Sequence, residues 1–219
     1  MNYQAKSLGT MTLLSVLCVT GVRGQQPDCV QFAPQDETPY VLPWPIGTEF
    51  QVLRTTTHYT PGNGGVGLYA IDVGMPIGSE VVAARAGVVV AARDSFRDGN
   101  GLDLQENFVF IRHGDGTIGR YFHLTHRGAL VVVGDTVLPG DTIGLSGNTG
   151  QSALPHLHFD VQACGPNLPP GYNTLPCGQT VPVQFANAAA HSCGLVPRRR
   201  YRALPFDRDQ MSNRVFRHR

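Results

Sequence analysis

Short stretches in which apolar and polar positions alternate run along most of this chain, and turn signals separate them. A period of two sends successive side chains to opposite faces, so these stretches read as half-buried β-strands. His156-Leu157-His158-Phe159-Asp160-Val161, which follows Pro155, reads in this way. So do Tyr121-Phe122-His123-Leu124 and Tyr69-Ala70-Ile71-Asp72-Val73. Arg97-Asp98-Gly99-Asn100-Gly101 and His113-Gly114-Asp115-Gly116 supply turns, and Thr180 to Phe185 reads as one more strand. Pro34, Pro39, Pro43 and Pro45 exclude a long helix from the region before residue 50. The pattern predicts a mostly β fold, an antiparallel β-sheet with few helices.

Three polar interruptions of the apolar pattern point to chemistry. His156 and His158, two residues apart on one strand, project from the same face and can share one site, and two imidazoles together suggest a metal. Asp72 is the one acid in an otherwise apolar strand, and a buried carboxylate is costly unless it is paired or bound to a cation. With His123, which ends a third alternating stretch, these residues make a candidate zinc site of Asp72, His123, His156 and His158. His113, His126, His191 and His218 belong to no such group and read as structural.

The ends of the chain bear on where the protein works. Lys6 precedes an apolar stretch from Met11 to Val19, and Val22-Arg23-Gly24 suits a cleavage point, so residues 1–24 read as a secretory signal peptide. The apolar run is shorter than the roughly twenty residues that a spanning helix needs. A secreted or periplasmic location follows, with no stable membrane insertion after cleavage. Cys29, Cys164, Cys177 and Cys193 then remain, an even number that fits two disulfides. Three pairings are possible. A bridge between Cys164 and Cys177 would staple the Pro- and Gly-rich loop between them, leaving Cys29 to Cys193.

The chain of 219 residues has a formal charge of +1, so no overall charge selects a partner. The arginines instead gather after Pro197, at Arg198, Arg199, Arg200, Arg202, Arg208, Arg214, Arg217 and Arg219, against Asp207 and Asp209. Residues 197–219 read as a basic disordered tail that could attract acidic envelope polymers, an attraction salt would weaken. Nucleic acid is a poor partner for a secreted chain. Residues 25–56 read as an N-terminal cap segment and 57–196 as one domain with a C-terminal extension.

From about Thr57 to Gln162 the chain resembles the lysostaphin-type (LytM-like) zinc endopeptidases that cut peptide bonds in bacterial peptidoglycan. The motifs that carry the resemblance are Tyr69-Ala70-Ile71-Asp72, the run Gly78 to Val89, Asn107 to Gly116, Tyr121-Phe122-His123-Leu124, Gly134-Asp135-Thr136-Val137, Gly140 to Gly144, Ser146 to Gly150 and His156-Leu157-His158. They occur in the family's order over roughly half of the chain. The resemblance implies a zinc-binding lysostaphin-type fold with Asp72 and His158 as ligands and His123 and His156 as catalytic, non-ligand histidines. The family's usual first ligand, four residues before the aspartate, falls on Leu68, which cannot bind zinc. Some members take that histidine from an upstream insertion, and here the Gly-rich stretch after His58 could fold His58 back to complete the set.

Such a site would leave a fourth zinc position for water, lowering its pKa toward neutrality, while His123 and His156 move protons or stabilise the oxyanion. Two classes follow. One is a zinc metallo-endopeptidase acting on peptidoglycan cross-link peptides. The other, for which Leu68 speaks, is a degenerate relative that binds wall material or regulates another hydrolase.

Overall fold

A computed structural model describes residues 32–55, 67–163, 180–190 and 193–214. Its strands are β1 (Glu49–Arg54), β2 (Ile71–Gly74), β3 (Glu80–Val82), β4 (Gly87–Arg93), β5 (Phe108–Arg112), β6 (Ile118–Phe122), β7 (Leu124–Ala129), β8 (Thr136–Val137), β9 (Thr142–Ser146), β10 (Leu157–Gln162) and β11 (Arg200–Arg202). One short helix, α1 (Arg208–Ser212), completes the described elements. Eight strands form one sheet in the order β11-β1-β2-β10-β6-β5-β4-β8, and β3, β9 and β7 form a second. Every named pairing is antiparallel, as the alternation predicts.

Alternation gives the main sheet two unlike faces. Val52, Ile71, Val73, Val109, Ile111, Tyr121, Leu157, Phe159 and Val161 point into the principal core. On the opposite face Phe108, Phe110, Ile118 and Phe122 form a smaller cluster. Register then orders that second face into rows. Arg54 lies opposite Asp72, Asp72 opposite His158, His158 opposite Phe122, and Phe122 opposite Phe108. In the next row Asp160 lies opposite Arg120, which lies opposite Phe110. Polar residues that are far apart in sequence thus become neighbours because each occupies the same face of its strand.

The N-terminal segment is built into this core. Tyr40, Leu42 and Trp44 are buried, and the Leu42 N–H donates to Asn187 Oδ1 at 2.7 Å. β1, which falls in the expected cap, is an internal strand of the main sheet. The strand expected over Thr180–Phe185 reduces to a bridge between Gln162 and Thr180, because Pro182 has no N–H to continue a ladder.

The described part of the expected disordered tail, residues 197–214, carries regular structure instead. β11 pairs with β1, and α1 follows, capped by Asp207, whose carboxylate accepts from the Gln210 N–H at 2.9 Å. Tyr201, Ala203 and Met211 alternate with the charges and are buried, which is why this stretch folds despite its arginines. No helix among the described residues is long and apolar enough to cross a membrane.

Candidate active site

Asp72 and His158 meet across the β2–β10 ladder, with Asp72 Oδ1 3.0 Å from His158 Nδ1. The other imidazole nitrogen, Nε2, lies 3.2 Å from Asp160 Oδ2. His158 therefore sits between two carboxylates. Burial lowers its pKa, but its hydrogen bonds to Asp160 and Asp72 outweigh that and raise it to about 9.

Asp160 is fully buried, and Arg120 grips it through Nε–Oδ1 at 2.7 Å and Nη2–Oδ2 at 2.6 Å. The Arg120 guanidinium also lies 5.1 Å from the Phe122 ring centre, a cation–π distance. Burial alone would raise the Asp160 pKa, yet Arg120 and the His158 hydrogen bond hold it well below the carboxylate range. With its amide oxygen turned toward the guanidinium, Gln162 accepts from Arg120 Nη1 and Nη2 at 3.1 and 2.7 Å.

His123 and His156 arrive from loops. His123 follows β6 with φ of 63°, a left-handed conformation that is strained for a residue with a Cβ. Its Nδ1 donates to the Thr149 carbonyl at 2.7 Å. Thr149 is itself pinned, accepting at Oγ1 from the Asn107 N–H at 2.9 Å and donating to the Leu124 carbonyl at 2.8 Å. Burial, then the nearby His156 and His158, lower the His123 pKa to about 3, so its imidazole is neutral at pH 7. His156 bridges to Gly147 beside β10, and its Nδ1 lies 2.8 Å from the Leu154 carbonyl. Its Nε2 is 3.6 Å from Asp72 Oδ1, and its ring centre is 4.5 Å from that of His123.

These four residues line one cleft of 580 Å³, together with Arg54, Glu106 and the segment Gln151–Leu154. Arg54 stands 4.0 Å from Asp72 Oδ2. His58 lies outside the described residues. Leu68, in the turn before β2, brings no donor. A carboxylate oxygen facing an imidazole nitrogen suits zinc, and the rear carboxylate on that imidazole suits it further. Among the described residues, no group of three His, Cys, Asp or Glu is arranged to hold a metal ion.

Residues 67–170 match peptidase family M23. The chain carries an M23 peptidase domain. Peptidoglycan DD-endopeptidase ShyA of Vibrio cholerae is 35% identical over 142 residues, which are 64% of this chain and 30% of that protein. Lysostaphin of Staphylococcus staphylolyticus is 41% identical over 99 residues, 44% of this chain and 18% of that one. The solved catalytic domain of lysostaphin from Staphylococcus simulans is similar at 29% identity and a TM-score of 0.40, over 61% of this chain and 86% of that chain. The chain spans less than a third of the length of the curated relatives it matches.

Within the matched residues the structure brings Asp72, His123, His156 and His158 to one cleft. Sequence reasoning passed over Arg120 and Asp160, although both are charged residues at inward positions of alternating strands, the signal that singled out Asp72. It also passed over Thr149 and Asn107, whose uncharged side chains carry no such signal.

Proposed function

We propose that this protein is a zinc metallo-endopeptidase that hydrolyses peptide bonds in peptidoglycan cross-links, outside the cytoplasm, in the periplasm or as a secreted protein. The observation that carries this reading is the approach of Asp72 Oδ1 and His158 Nδ1 to 3.0 Å in a cleft that also holds His123 and His156. The M23 match and the names of the endopeptidase relatives support the substrate. Cys193 is disulfide-bonded, which supports an oxidising compartment, and Cys29, Cys164 and Cys177 lie outside the described residues. The exposed Arg198, Arg199, Arg200 and Arg202 are suited to attract acidic envelope polymers.

In this reading His58, Asp72 and His158 hold the metal. Bound zinc supplies an acidified water and a Lewis acid for the scissile carbonyl. His123 and His156 each hold Nδ1 against a backbone carbonyl, which accepts from Nδ1–H and leaves Nε2 as the nitrogen that accepts a proton or, once protonated, donates to an oxyanion or leaving amine. Arg54, across from Asp72, places a positive charge 4.0 Å from that carboxylate.

The test is elemental analysis of the dialysed protein with hydrolysis of purified peptidoglycan. One zinc per chain is expected, lost in His58→Ala and in Asp72→Asn. His123→Ala and His156→Ala should keep the zinc and lose at least about 100-fold in hydrolysis, the scale of a missing acid–base group. Zinc retained in His58→Ala would remove His58 from the ligand set. A parent protein without zinc would favour the wall-binding or regulatory relative, to which the donorless Leu68 points.

A further inference from the structure

We infer that Asp160, clamped by Arg120, is a positioning residue that fixes the His158 tautomer so that Nδ1 presents its lone pair to the metal. The inference rests on the reading of His158 as a ligand in the preceding subsection.

A neutral imidazole carries one proton, and the nitrogen that lacks it is the one that can ligate. His158 faces a carboxylate at each nitrogen, Asp72 Oδ1 at 3.0 Å from Nδ1 and Asp160 Oδ2 at 3.2 Å from Nε2. If the proton stayed on Nδ1, donated to Asp72, the lone pair would lie on Nε2, aimed away from the cleft. Asp160 opposes this because it offers Nε2–H a permanent acceptor. That acceptor is immobile, since its side chain is fully buried and both oxygens are held by Arg120 in a two-pronged geometry.

Arg120 has a separate task. A buried carboxylate is costly unless it is paired. The guanidinium supplies the counter-charge and is itself fixed by the rings of Phe110 and Phe122, at 5.9 and 5.1 Å, and by Gln162. Strand register makes the arrangement rigid: Asp160 and Arg120 are direct partners across β10–β6, and His158 projects from the same face two residues before Asp160. A carboxylate behind a ligating histidine commonly raises metal affinity by 10–100-fold.

The first readout needs no variant. In zinc-loaded protein labelled with ¹⁵N-histidine, His158 should show a protonated Nε2 and a metal-shifted Nδ1. A protonated Nδ1 with Nε2 on the metal would overturn the inference. The second readout is zinc affinity by competition with a chromophoric chelator. Asp160→Asn should weaken zinc roughly 10–100-fold, and Arg120→Lys, which keeps the charge but loses the fork, should weaken it less. Asp160→Asn that folds and binds zinc within about 3-fold of the parent also overturns the inference, because a purely structural pair would leave affinity in place. The underlying reading fails differently: the parent binds no zinc, or Asp72→Asn and His158→Ala leave its affinity untouched.

Discussion

His113 is buried at 3% exposure in the turn after β5, and its Nδ1 donates to the Ala86 carbonyl at 2.8 Å. Burial, then the neighbouring Arg85 guanidinium, lower its pKa to about 4, against smaller opposing effects of Ala86 and Asp115. The unfolded chain, with an ordinary histidine near 6.5, binds the proton more readily than the folded one. The stability due to neutral His113 is therefore complete above pH 6.5 and is lost as pH falls from there toward 4, a loss of about 3 kcal/mol. His123 shifts in the same sense, so the two are separated by substitution. Urea unfolding at about pH 7.5 and about pH 4.5 should show a smaller acid loss in His113→Asn than in the parent, by about 2 kcal/mol. Equal losses in the two proteins would sink the assignment. His158, also largely enclosed, is pushed the opposite way by two carboxylates.

At the scale of elements, the turn from β9 into the site depends on one glycine. A Cβ on Gly147 would fall 2.4 Å from the Thr125 nitrogen and 2.5 Å from the Thr125 Cα, backbone atoms of β7 that cannot yield cheaply. Asp98 locks the same turn, accepting from the Asn148 N–H at 2.6 Å and from Thr125 Oγ1 at 2.5 Å. Gly147→Ala should cost about 2 kcal/mol and lower the thermal midpoint by roughly 4–8 °C. It should also lower hydrolysis, because the displaced turn carries the Thr149 carbonyl that orients His123. A midpoint within about 1 °C of the parent would mean that β7 yields freely. Elements of this kind mark the limit of what the sequence discloses. Period-two alternation made β2, β6 and β10 legible, and the polar residues breaking it exposed Asp72, His123, His156 and His158. Register is another matter, since nothing in the spacing of Arg120 and Asp160, 40 residues apart, says that they face each other. Thr180–Phe185 misled for the opposite reason: its local pattern suits a strand, but its hydrogen bonds go elsewhere, the Gln184 carbonyl accepting from Thr38 Oγ1 at 2.9 Å.

For the whole molecule, the arginine-rich C-terminal stretch separates reading by charge from reading by burial. Its charges alone suggest a solvated tail, yet Tyr201 and Met211 are 4% and 2% exposed. The arginines around them face outward, Arg200 meeting Glu49 at 2.7 Å and Arg208 pairing with Asp141. Exposed pairs of this kind contribute little, so the stretch is held mainly by its apolar side chains and by the β1–β11 ladder. Burying a side chain of the Tyr201 or Met211 class stabilises by about 1.5–3 kcal/mol, so a chain ending at Val196 should lose about 3–6 kcal/mol in urea unfolding. It should also aggregate more readily, because β1 would become a bare edge strand. Tyr201→Ala in the full chain should reproduce about 3 kcal/mol of that loss while leaving the edge covered, which separates lost packing from the lost ladder. A truncated chain as stable as the parent would restore the solvated-tail reading. The consequence reaches the cleft, because β1 carries Arg54 opposite Asp72, so loosening β1 removes the positive charge beside that carboxylate. Zinc affinity of the truncated chain, measured where it is still folded, should therefore change, whereas Tyr201→Ala, with β11 still paired to β1, should leave it close to that of the parent.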